Sequence, residues 1–525
     1  MTRPVIEPYL VTAEQMQQIE GNLFDAGMPV AALMEKVSHK LAHWFVERYG
    51  KDKRGRIAVL AGPGHNGGDA LVMARELHHL GFAVTVYQPF DRCKSLTAQH
   101  ASYARHLGIS FVETVQALAD CDAVIDGWFG FGLTRPIEGA RADDIETINR
   151  LSAPVFSIDL PSGIHTDTGR VMGVAIEASY TACLGLWKRA FVQDAAIAHI
   201  SQCDLIDFDI PIDDIAAVLG ESPAVQRMTP HQMLGCLPLN RSVTAHKYTA
   251  GHLLLIAGSR QYAGAALLAG LGAIASGVGM LTLAVPDSIR LALLPQLPSA
   301  LLVGCEETEA SAIAALPDSL DLAKYDAIAL GPGLTPTVPD LLDTVLATDC
   351  PLLLDADGLN LLAKRGAIGR LQTRTAATVL TPHVGEFKRL FPEIYAQPSL
   401  QTLPGAIAAH AAQASDAIVL LKGPKSVVAS GQNLWFNPQS TPALARGGSG
   451  DVLTGLMGGL LATHARTGDS DDFAGPVASA VWWHSQAALY ASQTRTVLGV
   501  DPLRLAQSLD LALAEVLSAQ SSNFS

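Results

Sequence analysis

Charge is what this chain has least of. Only 16% of its residues are Asp, Glu, Lys or Arg, against about 25% in ordinary soluble domains. Acids outnumber bases 50 to 36, for a net charge of −14. A surface of that sign repels phosphate backbones and anionic lipid, so neither nucleic acid nor a membrane is expected as a partner, and an anionic ligand must be held by local features. Cysteine pairing is missing too. The seven cysteines, Cys93, Cys121, Cys183, Cys203, Cys236, Cys305 and Cys350, are scattered without a CxxC, which argues against a zinc site or disulfide framework and for a reduced, cytoplasmic setting. The first residues lack the apolar core of a secretory signal. No GxxxxGK[ST] occurs, which excludes a Walker-type phosphate loop.

One long uncharged run needs a reading of its own. Residues 264–286 carry no charge and are long enough to span a bilayer. Five glycines, and a switch near Met280 to the strand-like MLTLAVP, read instead as a buried helix followed by a buried strand.

What is abundant is Gly, Ala and branched aliphatics, in a chain of 525 residues that is 49% hydrophobic. That composition predicts an α/β protein of more than one unit, with parallel sheets buried on both faces; it also allows a homo-oligomer. Thr12 and Gln15 fit a capping box ahead of an amphipathic helix carrying Met16, Ile19 and Leu23. Residues 56–61 read as a strand running into GPGHNGGDA. A helix face of Ala70, Met73, Ala74, Leu77 and Leu80 follows, then a strand at 83–87. Gly62, Gly64 and Gly67 satisfy GxGxxG, yet Gln88 and Pro89 stand where a ribose-binding acid should be, so a Rossmann dinucleotide site lacks its second half. Two further strands end at Asp126 and at Asp159. Ligands of open α/β sheets sit beyond such ends. There Asn66, Asp126 and Ser162 offer hard oxygen ligands for a cation, and Asp159 an acid or base; taken singly, each reads first as a turn or cap residue, and it is the three loops together that favour a site.

These motifs together, GPGHNGGD, the Asp126 strand end with GFGLTRP, and DLPSG, with LVTAEQMQQIE before them and Lys188 after, resemble the epimerase domain of the bifunctional NAD(P)H-hydrate repair enzymes. The resemblance covers roughly residues 8–212. It implies a Rossmann-like three-layer domain, at 1–215, that interconverts the epimers of hydrated NADH or NADPH. Around the substrate it places His65, Asn66, Gly67, Gly68, Asp69, Gly130, Phe131, Gly132, Leu133, Thr134, Arg135, Pro136 and Asp159. It implies Asp159 as catalytic and a potassium ion on Asn66, Asp126 and Ser162. This chain departs from the family pattern at Lys36 and Val37 (usually asparagine and alanine), His65 (asparagine), Ala70 (glycine) and Phe131 (a small residue, commonly threonine).

Residues 207–211 close the first unit and 212–228 read as a linker. The α/β rhythm then resumes, with strands expected at 253–257, 325–330, 351–354, 378–380 and 418–421, each ending in a glycine or polar cluster. The last cluster is ARGGSGDVLTGL at 445–456. Its glycines oppose a helix and helix formers resume after Asp451, so Asp451 is expected at a helix start. Outward-pointing N–H groups of such a turn suit a phosphate, and the aspartate can take a hydroxyl proton, although it also serves as a plain cap. Asp355 and Asp357 are expected on one strand face, holding magnesium through water or tying loops together.

The order GPGL, DADGLN, TPHVGE, LKGPKS and GGSGDVLTG resembles the ribokinase-like superfamily, and within it the ADP/ATP-dependent NAD(P)H-hydrate dehydratases; Tyr248 stands where glycine is common. The resemblance implies a ribokinase-like dehydratase domain at 227–525, acting on the S form with ADP as co-substrate and Mg²⁺. Lys422, Gly423, Pro424, Lys425, Ser426 and Gly450 would hold the nucleotide. Ala265, Gly333, His383 and Asp451 would face the hydrate, with Asp451 catalytic. The rival reading is a ribokinase-like kinase for another small molecule, fused to a non-catalytic nucleotide-binding module.

Overall fold

The central strands of this chain are buried at nearly every position: Arg56–Ala61 from its second residue on, and Ala123–Gly127, Val155–Ile158 and Leu352–Leu354 throughout. Such strands cannot face water on either side, so they must lie in sheets covered by helices. That is the architecture of the computed structural model, which describes residues 3–50, 54–309, 311–335, 339–398, 403–468 and 472–522. The chain divides into two units, Met1–Pro223 and Ala224–Ser525. No described helix is long and apolar enough to cross a membrane.

The first unit holds seven parallel strands in the spatial order Ser110–Val112, Ala83–Tyr87, Arg56–Ala61, Ala123–Gly127, Val155–Ile158, Ala178–Leu184, Ile200–Ile206. Strand order reverses between Arg56–Ala61 and Ala123–Gly127. The crevice beyond the carboxyl ends of two such strands is where an open sheet holds its ligand. A separate parallel ribbon, Leu10–Val11 with Trp187–Lys188, fixes Lys188.

The helix after the first strand begins at His65, not at Ala70 where the apolar stripe starts. Its glycines do not break it. They let backbones touch: a Cβ on Gly67 would lie 1.9 Å from the Gly62 carbonyl, and one on Gly62 would lie 1.9 Å from the Trp128 carbonyl. The GxGxxG spacing is therefore a packing device here.

The stretch expected to be a linker is largely regular structure. Ile212–Leu219 is a helix packed on the helix Ala13–Asp25, and Val225–Arg227 is an edge strand of the second sheet, beside Asn433–Phe436. Ile212, Ile215, Ala216 and Leu219 carry a helical i, i+3, i+4, i+7 stripe. The adjacent acids Asp213 and Asp214 obscured it in the sequence.

The second unit is built on an eleven-stranded sheet. Its parallel part runs, in spatial order, Ile418–Leu421, Thr378–Leu380, Leu352–Leu354, Ala327–Leu330, His252–Ile256, Met280–Pro286, Leu301–Glu307. The uncharged run of residues 264–286 falls on the helix Ala263–Ala275 and the strand Met280–Pro286, as expected. That helix lies directly against Ser449–Thr467. Glycines make the approach possible: a Cβ on Gly455 would meet the Ala269 carbonyl at 1.7 Å, and one on Gly272 the Val452 carbonyl at 2.1 Å. Ser449–Thr467 starts two residues before Asp451, led by Gly448 at φ +101°. Asp451 is thus its third residue.

Gly455→Val should therefore destabilise the second unit by about 3 kcal/mol, because backbone rather than a flexible side chain must give way. Urea unfolding of the variant tests this, and a loss below about 1 kcal/mol would contradict the close approach.

Candidate active sites

In the first unit the carboxyl ends of Arg56–Ala61, Ala123–Gly127 and Val155–Ile158 surround a cavity of about 730 Å³. His65, Asn66, Asp69, Gly130, Phe131, Gly132, Leu133 and Asp159 line it. Gly67 and Gly68 are buried in the first turn of the helix, Gly68 facing the Met34 side chain. Thr134, Arg135 and Pro136 are exposed further along the loop and are not among the lining residues.

Asp159 is buried with a left-handed backbone, φ +68°, at the strand end. Its carboxylate takes the Lys188 ammonium at 2.5 Å and the Phe131 N–H at 3.0 Å. Lys188 is fully buried and also donates to the Leu184 carbonyl. Burial alone would favour the neutral amine, but Asp159 outweighs it and holds the ammonium above its usual range. Asp69 is pushed well above the usual carboxylate range by burial, against one hydrogen bond from Ser38.

Asp126 is fully buried and saturated: the Ser162 and Ser157 hydroxyls and the Ser162 and Trp128 N–H groups all donate to it. Asn66 lies close by, where a Cβ on Gly130 would touch both its side chain and Asp159. The Asn66 amide nitrogen is buried without a hydrogen-bond partner.

The departures from the family pattern have local explanations. Lys36 donates to the Phe208 carbonyl and pairs with Asp209. Val37 lines the cavity. The methyl of Ala70 fits because Gly127 opposite it has no side chain. His65 sits 3.4 Å from the Lys94 ammonium, and burial with that charge lowers its pKa. The Phe131 ring lies under Lys188, 5.6 Å from the ammonium.

In the second unit three neighbouring strand ends supply Asp355, Thr381 and Lys422. Asp355 is buried and accepts from Lys422 at 2.7 Å, Thr381 at 2.8 Å and Thr454 at 2.6 Å. Burial works to raise its pKa; the ammonium and hydroxyls prevail and hold it below the usual range. Asp357 does not share a strand face with it. It opens the helix Asp357–Lys364 and accepts from the Thr335 N–H and from Asn360. Both acids tie loops together.

Lys422 points at the start of Ser449–Thr467, where a Cβ on Gly450 would lie 3.6 Å from its ammonium. Asp451, half-buried in that first turn, is pushed up to about 6 by burial and by Asp355, with Lys422 opposing. Lys425, by contrast, bonds to the Pro438 carbonyl. Ser426 closes the turn onto Gly423, and Gly423 and Pro424 are exposed. His383 caps the helix Val384–Leu390, its Nδ1 accepting the Gly385 N–H. Gly333, at φ +65°, packs against Tyr262 and Ala265.

Several groups were not singled out by the sequence. Glu20 and Lys94 line the first cavity. Thr454 holds Asp355. His484, fully buried and lowered to about 4 by that burial, bonds to the Ser449 carbonyl beneath the glycine turn.

Fold and geometry define a two-unit α/β enzyme with buried acid–base clusters at the strand ends of each unit. A family model described as NAD(P)H-hydrate dehydratase matches residues 253–510, and one described as YjeF-related protein N-terminus matches residues 30–190. The bifunctional NAD(P)H-hydrate repair enzyme of Synechocystis sp. is 54% identical over 98% of this chain and 97% of its own length. That of Thermosynechococcus vestitus is 49% identical over 98% and 99%. The ADP/ATP-dependent NAD(P)H-hydrate dehydratase of Bacillus subtilis, crystallised with ATP and Mg²⁺, is 33% identical, covering 55% of this chain and 98% of its own, with a TM-score of 0.48. This chain belongs to the family of bifunctional NAD(P)H-hydrate repair enzymes, an epimerase unit joined to a dehydratase unit.

Replacing Lys188 by Met should destabilise the first unit by about 3–5 kcal/mol, since it strands a buried carboxylate. Adding Asp159→Asn should restore much of that loss in urea unfolding. No recovery in the double variant would show that the lysine acts through packing alone.

Proposed function

We propose that the first unit interconverts the R and S hydrates of NADH and NADPH around Asp159, and that the second dehydrates the S form around Asp451 at the expense of ADP, giving AMP and phosphate. The observation that carries the second assignment is one helix turn presenting amide N–H groups and the Asp451 carboxyl, with the Lys422 ammonium from a neighbouring strand end aimed at it. The hydrate bears a hydroxyl on the carbon next to the ring nitrogen, and hydroxide is a poor leaving group. Phosphorylating it makes a good one. Asp451 takes the hydroxyl proton as the oxygen attacks the terminal phosphorus of ADP, while the turn amides and Lys422 stabilise the charge on the transferring group. The ring nitrogen's electron pair then expels phosphate, and loss of the neighbouring carbon's proton restores the double bond.

Lys422 suits this role better than Lys425, which is occupied at Pro438. Gly450 leaves room beside it, and His383, Gly333 and Ala265 are the residues that the family resemblance assigns to the hydrate. Mg²⁺ would arrive with the nucleotide, liganded by phosphate oxygens and water, since Asp355 and Asp357 are already engaged. In the first unit Asn66, Asp126 and Ser162 offer hard oxygens of the kind that suit potassium. The ion would fix the loop that carries Gly130 and Phe131.

The kinase reading has less support, since relatives matching along the whole chain carry the repair enzyme's name.

Asp451→Asn should lower kcat for dehydration of the purified S form about 10²–10⁴-fold, the range for loss of a general base. In the unsubstituted chain kcat/KM should rise with pH through about 6, because only the ionised carboxyl takes a proton. Full turnover by the variant, or release of a stable phosphorylated product, would overturn the assignment.

A further inference from the structure

The helix Ala13–Asp25 does two jobs. Met16, Ile19 and Leu23 are buried in the core, while Gln17, Glu20, Gly21 and Phe24 line the cavity of the first unit. Of these four only Glu20 can exchange a proton. Among the described residues no hydrogen bond or ion pair holds its carboxyl, whereas Asp69 is bonded to Ser38 and Asp159 to Lys188 and the Phe131 N–H. The charged groups facing Glu20 are Lys188, Asp159, Lys94 and Asp69. Burial outweighs the two lysines and pushes its carboxyl up to about 7, with Asp159 adding to the effect. Near neutral pH the cavity therefore sets the lysine-pinned Asp159 carboxylate beside Glu20, an unbonded carboxyl that is about half protonated.

We propose that Glu20 is the proton donor of the epimerisation, a catalytic residue working opposite Asp159; this rests on the placement of the epimerase site in this cavity. Asp159 takes the proton of the ring hydroxyl, and the O–H electron pair becomes the second bond of a carbonyl. The bond from that carbon to the ring nitrogen breaks, its pair goes to nitrogen, and Glu20 protonates the nitrogen as it leaves. Without a donor, that nitrogen would carry negative charge inside a largely apolar cavity. The opened aldehyde turns about the adjoining carbon–carbon bond and presents its other face. The reverse steps return one proton to Glu20 and the other from Asp159 to oxygen, closing the ring as the opposite epimer. Nothing is consumed, and both carboxyls end as they began.

The test uses the full chain without nucleotide and follows the interconversion of purified epimers by chromatography. Glu20→Gln should lower kcat about 10²–10³-fold, as loss of one general acid does, with KM changed less than about threefold. Glu20→Asp should recover at least about a tenth of the rate, because the carboxyl returns with a shorter reach. In the unsubstituted chain kcat should fall as pH rises through about 7, and that limb should be missing in Glu20→Gln. If Glu20→Gln keeps its kcat, or if Gln and Asp lose rate alike with the pH limb unmoved, Glu20 is not the donor. If Asp159→Asn is also fully active, or the unsubstituted chain does not exceed spontaneous interconversion, the epimerase site itself has been misplaced.

Discussion

A buried carboxylate pinned by a lysine at the end of a strand is the interaction on which both units depend. Asp159 with Lys188, and Asp355 with Lys422, take two opposite charges each out of water. Desolvation on that scale costs several kcal/mol per ion and is repaid only by close geometry and further hydrogen bonds. The further bonds are present. Lys188 also reaches the Leu184 carbonyl, and Asp355 takes the hydroxyls of Thr381 and Thr454. Because Thr454 lies on the helix Ser449–Thr467, Asp355 fastens that helix to the strand ends, and through Lys422 it sets the charge in front of the glycine turn.

The pinned acids matter for chemistry through the acids left free beside them. Asp451 and Glu20 are raised by burial and by the fixed negative charge of their neighbours, Asp355 in one unit and Asp159 in the other. Two carboxyls whose environments differ in this way can take different parts in proton transfer at one pH. In the second unit the free acid, at about 6, is mostly ionised at neutrality and suits a base. In the first, at about 7, it is about half protonated and suits a donor. Two unrelated loop designs thus reach a similar electrostatic arrangement.

The sequence made the fold legible where the physics is local. Buried apolar runs ending in glycine or a polar cluster located the central strands of both sheets, because a strand covered on both faces leaves no other pattern. Gly448 located the turn that leads into the helix carrying Asp451. Local reasoning failed where glycine served packing rather than turning. Gly67 and Gly68 lie inside a helix because backbones approach there, so its start was placed five residues late. It failed again at residues 212–219, where two acids hid an apolar stripe. Glu20 and His484 were out of reach for another reason: their surroundings come from residues far along the chain, such as Lys188 for Glu20 and Ser449 for His484. A glutamate on an amphipathic helix, or a histidine between alanines and tryptophans, has a bland reading until the fold supplies its neighbours.

The central claim is that two units with complementary stereochemical tasks repair the whole of a damaged cofactor pool. Purified chain given mixed epimers of NADPH hydrate, ADP and Mg²⁺ should restore the reduced-nicotinamide absorbance of both epimers completely, well ahead of spontaneous epimerisation. Recovery that halts once the S form is spent would contradict an active first unit, and no nucleotide-dependent recovery would contradict the account of the second.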